Sequence, residues 1–435
     1  MTLLQTLLEY SVVLSLAYLA LLAAVTVVLA LRLGGRREEP ADDYDTLSAS
    51  RFTIPVSLIV PLRDDSGPVA PTLTALLGLS YPEFEVIVVA EGLPAAAWSA
   101  LKDEWALEAK EFFYRQSLAT AAVQKIYRSG RDARLMIVDK TPRGSLADAL
   151  NCGVNLARFR YISAVESGLV FDADALLRAM SAPLRDPAGV VAATSHIESY
   201  GAASHGRIGD ALQRLASIRA LMDSRLVWRT LQAVLGTTDA VAVWRRDAII
   251  LLDGFSLSAA DPDLDMMVRL QTSTTPRVSG RIVRGAEIFG QIGPRSLASR
   301  VQLATRRQFA AWQALSAGRT LDGRALMYFV MSELVTPLVQ AWVLVAITAG
   351  ALAGWVPWWD AALVLILLSF GLAVVSGVAV LLRGAAPGAP DESALRALLL
   401  AAPFDFVVSG SVAAYAKCAS FWAFLKGASA PGGLA

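Results

Sequence analysis

The stretch YISAVESGLVFDADALLRAM, residues 161–180, decides how the middle of the chain is read. Its front half is a short apolar run, the length of a buried strand, and it ends at a single acid, Glu166. Behind that acid, Asp172 and Asp174 stand just ahead of the segment ALLRAM, where carboxylates cap a helix and meet the positive end of its dipole. The same two acids also spell Asp-x-Asp, a pattern suited to a divalent cation, and the sequence leaves both readings open.

Moving outward, the strand-then-helix pattern recurs. VSLIVPL at 56–62 is followed by the acidic turn DDSG and the helix-like TLTALLGL; EVIVVAEG lies at 85–92 and LMIVDK at 135–140. Strands separated by helical segments predict right-handed crossovers and an α/β, Rossmann-like, mostly parallel sheet over residues 50–295. In such a sheet, polar residues just past the carboxyl ends of the strands line the ligand crevice, a description that fits Asp64, Glu91, Asp139 and Glu166.

Beyond this region the composition changes. Residues 11–31 carry no charge, enough to cross a hydrocarbon core of about 30 Å as helix, and the segment 8–33 is expected to do so. A cleaved signal peptide would have a shorter apolar run with basic residues before it. Arg32, Arg36 and Arg37 follow at once, which places the amino terminus outside and the next segment in the cytoplasm. Residues 334–359 and 361–382 are again uncharged, and WVPWW at 355–359 suits a hairpin at the outer interface, where indoles settle. Residues 397–416 are expected as a fourth crossing, although Pro403 and Asp405 would also suit a segment lying in the interface. The turn-rich GAAPGAPDES is then a cytoplasmic loop. The chain is expected to be a multi-pass protein of the inner (plasma) membrane, with a cytoplasmic sheet domain and two or three spans in the 326–425 region.

Bulk properties agree with this division: 55% of the residues are hydrophobic, 18% are charged, and mean hydropathy is +0.50. A formal charge of +1 lacks the broad positive field that a nucleic-acid partner requires. Cys152, Cys418, His196 and His205 are too few and too scattered for a disulfide framework or a zinc site.

Taken in order, VSLIVPLRDDSGPVAPTLTALLGLSYPEFEVIVVAEG, PRGSLADALNCGVNLARFRYISAVESG, AVAVWRRDAIILLDGFSLSAADPDLDMMVRL and QFAAW resemble the membrane-bound family 2 glycosyltransferases. That group includes the cellulose, hyaluronan and poly-N-acetylglucosamine synthases. The resemblance runs from the first apolar helix to the last. It implies a GT-A fold, a nucleotide sugar donor (commonly UDP-linked), a divalent cation (Mg2+ or Mn2+), inversion at the anomeric carbon, and a glycan or lipid acceptor. It also implies two further partners, the lipid bilayer and other subunits of a synthase complex. Residue by residue, it places Pro61, Arg63, Glu91, Asp148 and Glu166 around the nucleotide sugar, with Glu166 also on the metal. Asp263 becomes the general base, and Gln308 and Trp312 fall at the acceptor interface.

Every motif departs from the family pattern. The family has Asp after the second strand, Asp-x-Asp, Thr-Glu-Asp and Gln-x-x-Arg-Trp. This chain has Glu91, Glu166-Ser167-Gly168, Asp261-Pro262-Asp263 and Gln308-Phe309-Ala310-Ala311-Trp312, with Leu146 replacing a basic residue ahead of ADALN. Magnesium keeps several waters and takes one or two protein carboxylates alongside phosphate oxygens, so Glu166 is compatible with an ion carried on a diphosphate. Ceramide-type glucosyltransferases resemble this segment as well, with Asp-Ser-Gly at that place.

Several roles stay open in the sequence. Glu91 suits either a hydrogen bond to uracil or ribose or a solvated turn. Asp263 is either the base or one of three helix-start acids. Pro262 fits a first helical position and makes Asp261 an N-cap, while Asp261 and Asp265 share a face that Asp263 does not. Segment 296–320 mixes basic and apolar residues as an amphipathic helix on the cytoplasmic leaflet, with Trp312 at the acceptor or in the headgroups. Arg306 and Arg307, one turn earlier, are the candidates to stand in for the missing motif arginine. Two functions follow: an active inverting transferase, or a catalytically silent homologue serving as scaffold or regulatory subunit of a synthase complex. Three or four spans are few for a product channel, which points to a non-processive or multi-subunit arrangement.

Overall fold

The computed structural model of the protein describes residues 3–34, 53–63, 69–199, 208–231, 240–273, 278, 280–285, 287–292, 297–316, 323, 327–328, 330–384, 391–406 and 410–427. Asp64 and the loop 385–390 lie outside the described residues.

Eleven strands form one sheet: β1 (Val56–Arg63), β2 (Phe84–Glu91), β3 (Leu107–Ala109), β4 (Val123–Ser129), β5 (Leu135–Lys140), β6 (Tyr161–Ala164), β7 (Leu169–Phe171), β8 (Val190–Ser199), β9 (Ala240–Arg245), β10 (Arg281–Arg284) and β11 (Ile288–Ile292). Their spatial order is β3-β4-β5-β2-β1-β6-β9-β8-β11-β7, with β10 also on β8. The sheet is mixed, which corrects the mostly parallel expectation. Parallel pairing joins β1 to β2 and β6, β2 to β5, and β8 to β10 and β11. The pairs β3–β4, β4–β5, β6–β9, β8–β9 and β7–β11 are antiparallel. Connection length explains part of the difference. Parallel neighbours need a crossover of about a dozen residues or more, and only residues 130–134 join β4 to β5.

The central strands are buried on both faces, as unbroken apolar runs require. Alternation sorts their side chains: Leu58, Val60, Val86 and Val88 enter one core, while Ile59, Ile87 and Val89 enter the other. The helices Val69–Leu77 and Ala175–Arg185 cover the first face. Helices Leu146–Leu156 and Pro262–Thr272 cover the second.

Three helices among the described residues are long and apolar enough to cross a membrane: Gln5–Arg32, Val330–Leu352 and Trp358–Gly384. The expected hairpin at WVPWW is the turn between the last two, with Trp358 and Trp359 exposed and stacked edge to face at 5.7 Å. The Gln5 amide of the first helix donates to the Trp355 carbonyl at 3.3 Å, so the amino-terminal end of that helix and the hairpin share one side of the bundle. At the other end, Ala30, Val375, Ala379 and Val380 pack on Leu212, Leu215 and Ile218 of the helix Ile208–Leu231, which docks the sheet domain.

The expected fourth crossing is not one helix. Residues 392–401 and 411–425 form two short helices, with the 3-10 turn Ala402–Phe404 after the first. Pro403, within that turn, cannot continue the helical hydrogen-bond ladder, and the buried carboxylate of Asp405 turns inward to Arg219 and Ser376.

Candidate active site

Register brings charged residues together at the strand ends. Pairing of β1 with β2 sets Arg63 opposite Glu91, and pairing of β2 with β5 sets Glu91 opposite Lys140. The Lys140 ammonium is fully buried and forms ion pairs with Glu91 and with Asp148 of the helix Leu146–Leu156. Asp148 also meets Arg143 at 3.3 Å and accepts from the Ala121 N–H at 3.3 Å. The structure therefore places Glu91 inside a buried network instead of leaving its carboxylate at the crevice surface. Burial pushes the neighbouring Cys152 thiol up to about 12, with Asp148 and Glu91 adding to the rise and Lys140 opposing it, so this thiol stays protonated. Pro61 is buried within β1, and Arg63 is half-buried at its end. Asp139, half-buried, has its carboxyl raised by burial against the opposing charges of Lys102 and Lys125.

Glu166 lies two residues past β6 and is exposed. The turn behind it is held by Gly168, whose φ of 92° suits glycine and whose N–H donates to Thr72 Oγ1 at 2.9 Å. Asp172 and Asp174 do not join this site as a metal pair. Asp174 occupies the N-cap position of the next helix and pairs with Arg178 at 2.6 Å.

The three acids at 261–265 have separate fates. Asp261 caps the helix, its Oδ1 accepting from the Asp263 and Leu264 N–H groups at 3.1 Å each. Asp265 pairs with Arg269 at 2.7 Å, and Arg269 in turn donates to the carbonyls of Leu252 and Gly254 at 2.7 and 2.6 Å. Only Asp263 is left uncommitted. It is half-buried, its Oδ1 is shielded from solvent, and neither that oxygen nor the indole Nε1 of buried Trp244 completes a hydrogen bond. Burial pushes the Asp263 carboxyl up to about 7; the negative charges of Asp261 and Glu166 add to the rise, and the facing Trp244 indole opposes it. Glu166 therefore lies near enough to Asp263 for its charge to act on that carboxyl.

Sequence reasoning missed the residues that pack around Trp244. Trp244 stacks edge to face on Phe255 at 6.4 Å, and Asn151 clamps the Phe255 peptide, accepting from its N–H at 2.8 Å and donating to its carbonyl at 2.9 Å. At Gly254, φ is +75° and a Cβ would meet Asn151 Oδ1 at 2.5 Å, so the turn requires glycine. Strand alternation in AVAVWRR carries the signal for an inward Trp244. Nothing local marks Lys140 as buried.

The expected amphipathic helix is Leu297–Ser316. Trp312 is buried and stacks on Phe421 and Phe424 of the carboxyl-terminal helix at 5.4 and 6.4 Å, and Gln308 is buried too. Arg306 is engaged by the carbonyl of Ala260 at 2.7 Å.

The described residues hold no group of three or more His, Cys, Asp or Glu able to cage a metal. The exposed carboxylate of Glu166 fits an ion that arrives on phosphate oxygens and does not by itself fit a resident, all-protein site.

No protein-family model matches the sequence, and no curated protein matches it. Among solved structures, the chain is similar to a mannosyltransferase from Pyrobaculum calidifontis in complex with GDP-Man and Mn2+. Identity is 18%, the TM-score is 0.57, and the match covers 92% of this chain and 99% of that one. The match shows a shared fold. Two others lie further away. S. aureus TarS in complex with UDP-GlcNAc gives a TM-score of 0.37 at 14% identity, covering 86% of this chain and 93% of that one. Glucosyl-3-phosphoglycerate synthase from Mycobacterium tuberculosis, in complex with Mn2+, UDP and phosphoglyceric acid, gives 0.37 at 13%, covering 64% and 84%. At those scores the likeness carries no argument.

Proposed function

We propose that this chain is a membrane-embedded inverting glycosyltransferase that moves a sugar from a nucleotide sugar to a glycan or lipid acceptor, working from the cytoplasmic face of the inner (plasma) membrane. The observation that carries the reading is the carboxyl of Asp263, whose buried Oδ1 completes no hydrogen bond and which burial raises to about 7, with the charge of Glu166 adding to the rise. A general base is most effective when its pKa lies near the working pH. In the reaction, Asp263 takes the proton of the acceptor hydroxyl as that oxygen bonds to the anomeric carbon, and the bond to the nucleotide diphosphate breaks on the opposite side. Glu166 is the residue that would hold Mg2+ or Mn2+, which supplies charge neutralisation for the departing diphosphate. Arg63 and Arg143 supply positive charge at the same end of the sheet. The three apolar helices support the membrane setting, and in this reading the chain divides into the segments 8–33, 50–295, 296–320 and 326–425.

A second reading has an observation of its own. The Glu91–Lys140–Asp148 network withdraws carboxylates expected at the nucleotide, as in a silent homologue serving as scaffold within a synthase complex. Purified protein supplied with UDP- and GDP-sugars and Mn2+ or Mg2+ decides between them. Release of the nucleotide diphosphate is expected; no release and no thermal shift with either nucleotide would favour the scaffold.

A further inference from the structure

The peptide of Ala260 lies immediately before the Asp261 cap, at the entrance to the helix that carries Asp263. Both of its polar groups are taken by a single other helix, Leu297–Ser316. Arg306 Nε donates to the Ala260 carbonyl at 2.7 Å, and the Ala260 N–H donates to Gln313 Oε1 at 2.9 Å. The Gln313 amide nitrogen also donates to the Ser258 carbonyl at 3.3 Å. Between these two anchors, Phe309 and Ala310 pack against Ala260, Leu264 and Val268. Residues 306, 309, 310 and 313 recur at three- and four-residue spacing, which is one face of a helix. A segment pinned at both groups of one peptide cannot shift without giving up two hydrogen bonds and opening an apolar contact.

We propose that Arg306 and Gln313 are positioning residues which hold Asp263 in its shielded place, so that the helix set against the apolar bundle governs the geometry of the carboxylate. The proposal rests on the reading of Asp263 as the base. It also gives Arg306 a task different from that of a substitute phosphate ligand, since its Nε is committed to the Ala260 carbonyl. The groups that face Asp263 are Asp261 from its own cap, Glu166 from the turn after β6 and the Trp244 indole from β9.

The test reads the placement of Asp263 without any substrate. Tm of the full chain in detergent is measured with and without Asp263→Asn, at about pH 5 and about pH 8. A shielded carboxyl makes the substitution raise Tm more at the higher pH. Adding Arg306→Ala or Gln313→Leu is expected to cut that pH-dependent increment by about twofold or more, because a released carboxylate reaches water. Arg306→Lys, which keeps a donor, is expected to restore it. A variant that merely loosens the fold lowers Tm at both pH values and leaves the increment intact. An intact increment, or no increment in the parent chain, overturns the proposal. Turnover is read separately: if Asp263→Asn keeps its rate of nucleotide release, the base assignment fails, whether or not the clamp holds the side chain.

Discussion

As the proposed base, Asp263 combines a catalytic advantage with a cost to folding. Its carboxyl titrates at the ordinary 3.8 in the unfolded chain and at about 7 in the fold. Between those values the folded state holds a proton that the unfolded state has released. The contribution of this group to stability is therefore whole below about pH 4 and is lost as pH rises through about 7. At about 1.36 kcal/mol per unit, the loss reaches up to about 4 kcal/mol above neutrality. Asp263→Asn is predicted to recover part of that stability above neutral pH while slowing turnover by about 100-fold or more, which denaturation and nucleotide-release measurements across pH will check. The parent rate should climb with pH and level off above about 7. Glu166→Gln removes one of the charges that raise Asp263. It is predicted to move the midpoint of the rate profile to lower pH and to raise the Mn2+ concentration for half-maximal activity by about tenfold, read by titrating Mn2+ at fixed donor.

Among the elements, the strand ends of β2 and β5 and the helix Leu146–Leu156 share one buried cation. Lys140 balances Glu91 and Asp148 where solvent is absent. Removing one partner of a buried ion pair leaves an uncompensated charge, which costs about 3–5 kcal/mol. Lys140→Met is predicted to lose stability on that order in urea denaturation, and pairing it with Glu91→Gln and Asp148→Asn should recover much of the loss. If the single variant proved neutral, the two carboxylates would have to be protonated or hydrated in its fold. The helix Pro262–Thr272 follows a related logic with its charges divided. One acid caps, one orients Arg269 onto the turn at 252–254, and the third, Asp263, keeps a buried oxygen without a hydrogen bond.

Taken whole, the molecule joins a mixed sheet to an apolar bundle through the helix Ile208–Leu231. The apolar contact of that helix contains a polar cluster, in which Arg219 donates to Ser376 Oγ at 3.0 Å and pairs with Asp405, while Ser376 donates to Asp405 at 2.9 Å. Asp405 is fully buried and forms an ion pair with Arg219. Arg219→Met is predicted to lower stability by on the order of 3 kcal/mol and to expose the joint between sheet domain and bundle to limited proteolysis, scored by Tm in detergent and by the fragment pattern. Asp405→Asn in that background should restore much of the loss. The second contact between the two parts is the helix Leu297–Ser316, whose aromatic face meets Phe421 and Phe424. The helix that carries Asp263 is therefore tied to the bundle through the same element that packs on it.

Local pattern was enough for the apolar helices, for β1, β2 and β5, and for the helix-start role of Asp261, because hydropathy, burial on both faces and capping are all properties of short windows. The family resemblance pointed to Asp263, and its helical phase sets it apart from Asp261 and Asp265. The antiparallel members of the sheet, the burial of Lys140 between two acids, the inward turn of Asp405 and the hold of the 297–316 helix on Ala260 join residues from 8 positions apart, Lys140 and Asp148, to 186 apart, Arg219 and Asp405. Such pairings are set by how whole elements pack, and a charge in a sequence carries no mark of whether water or another charge will stand beside it.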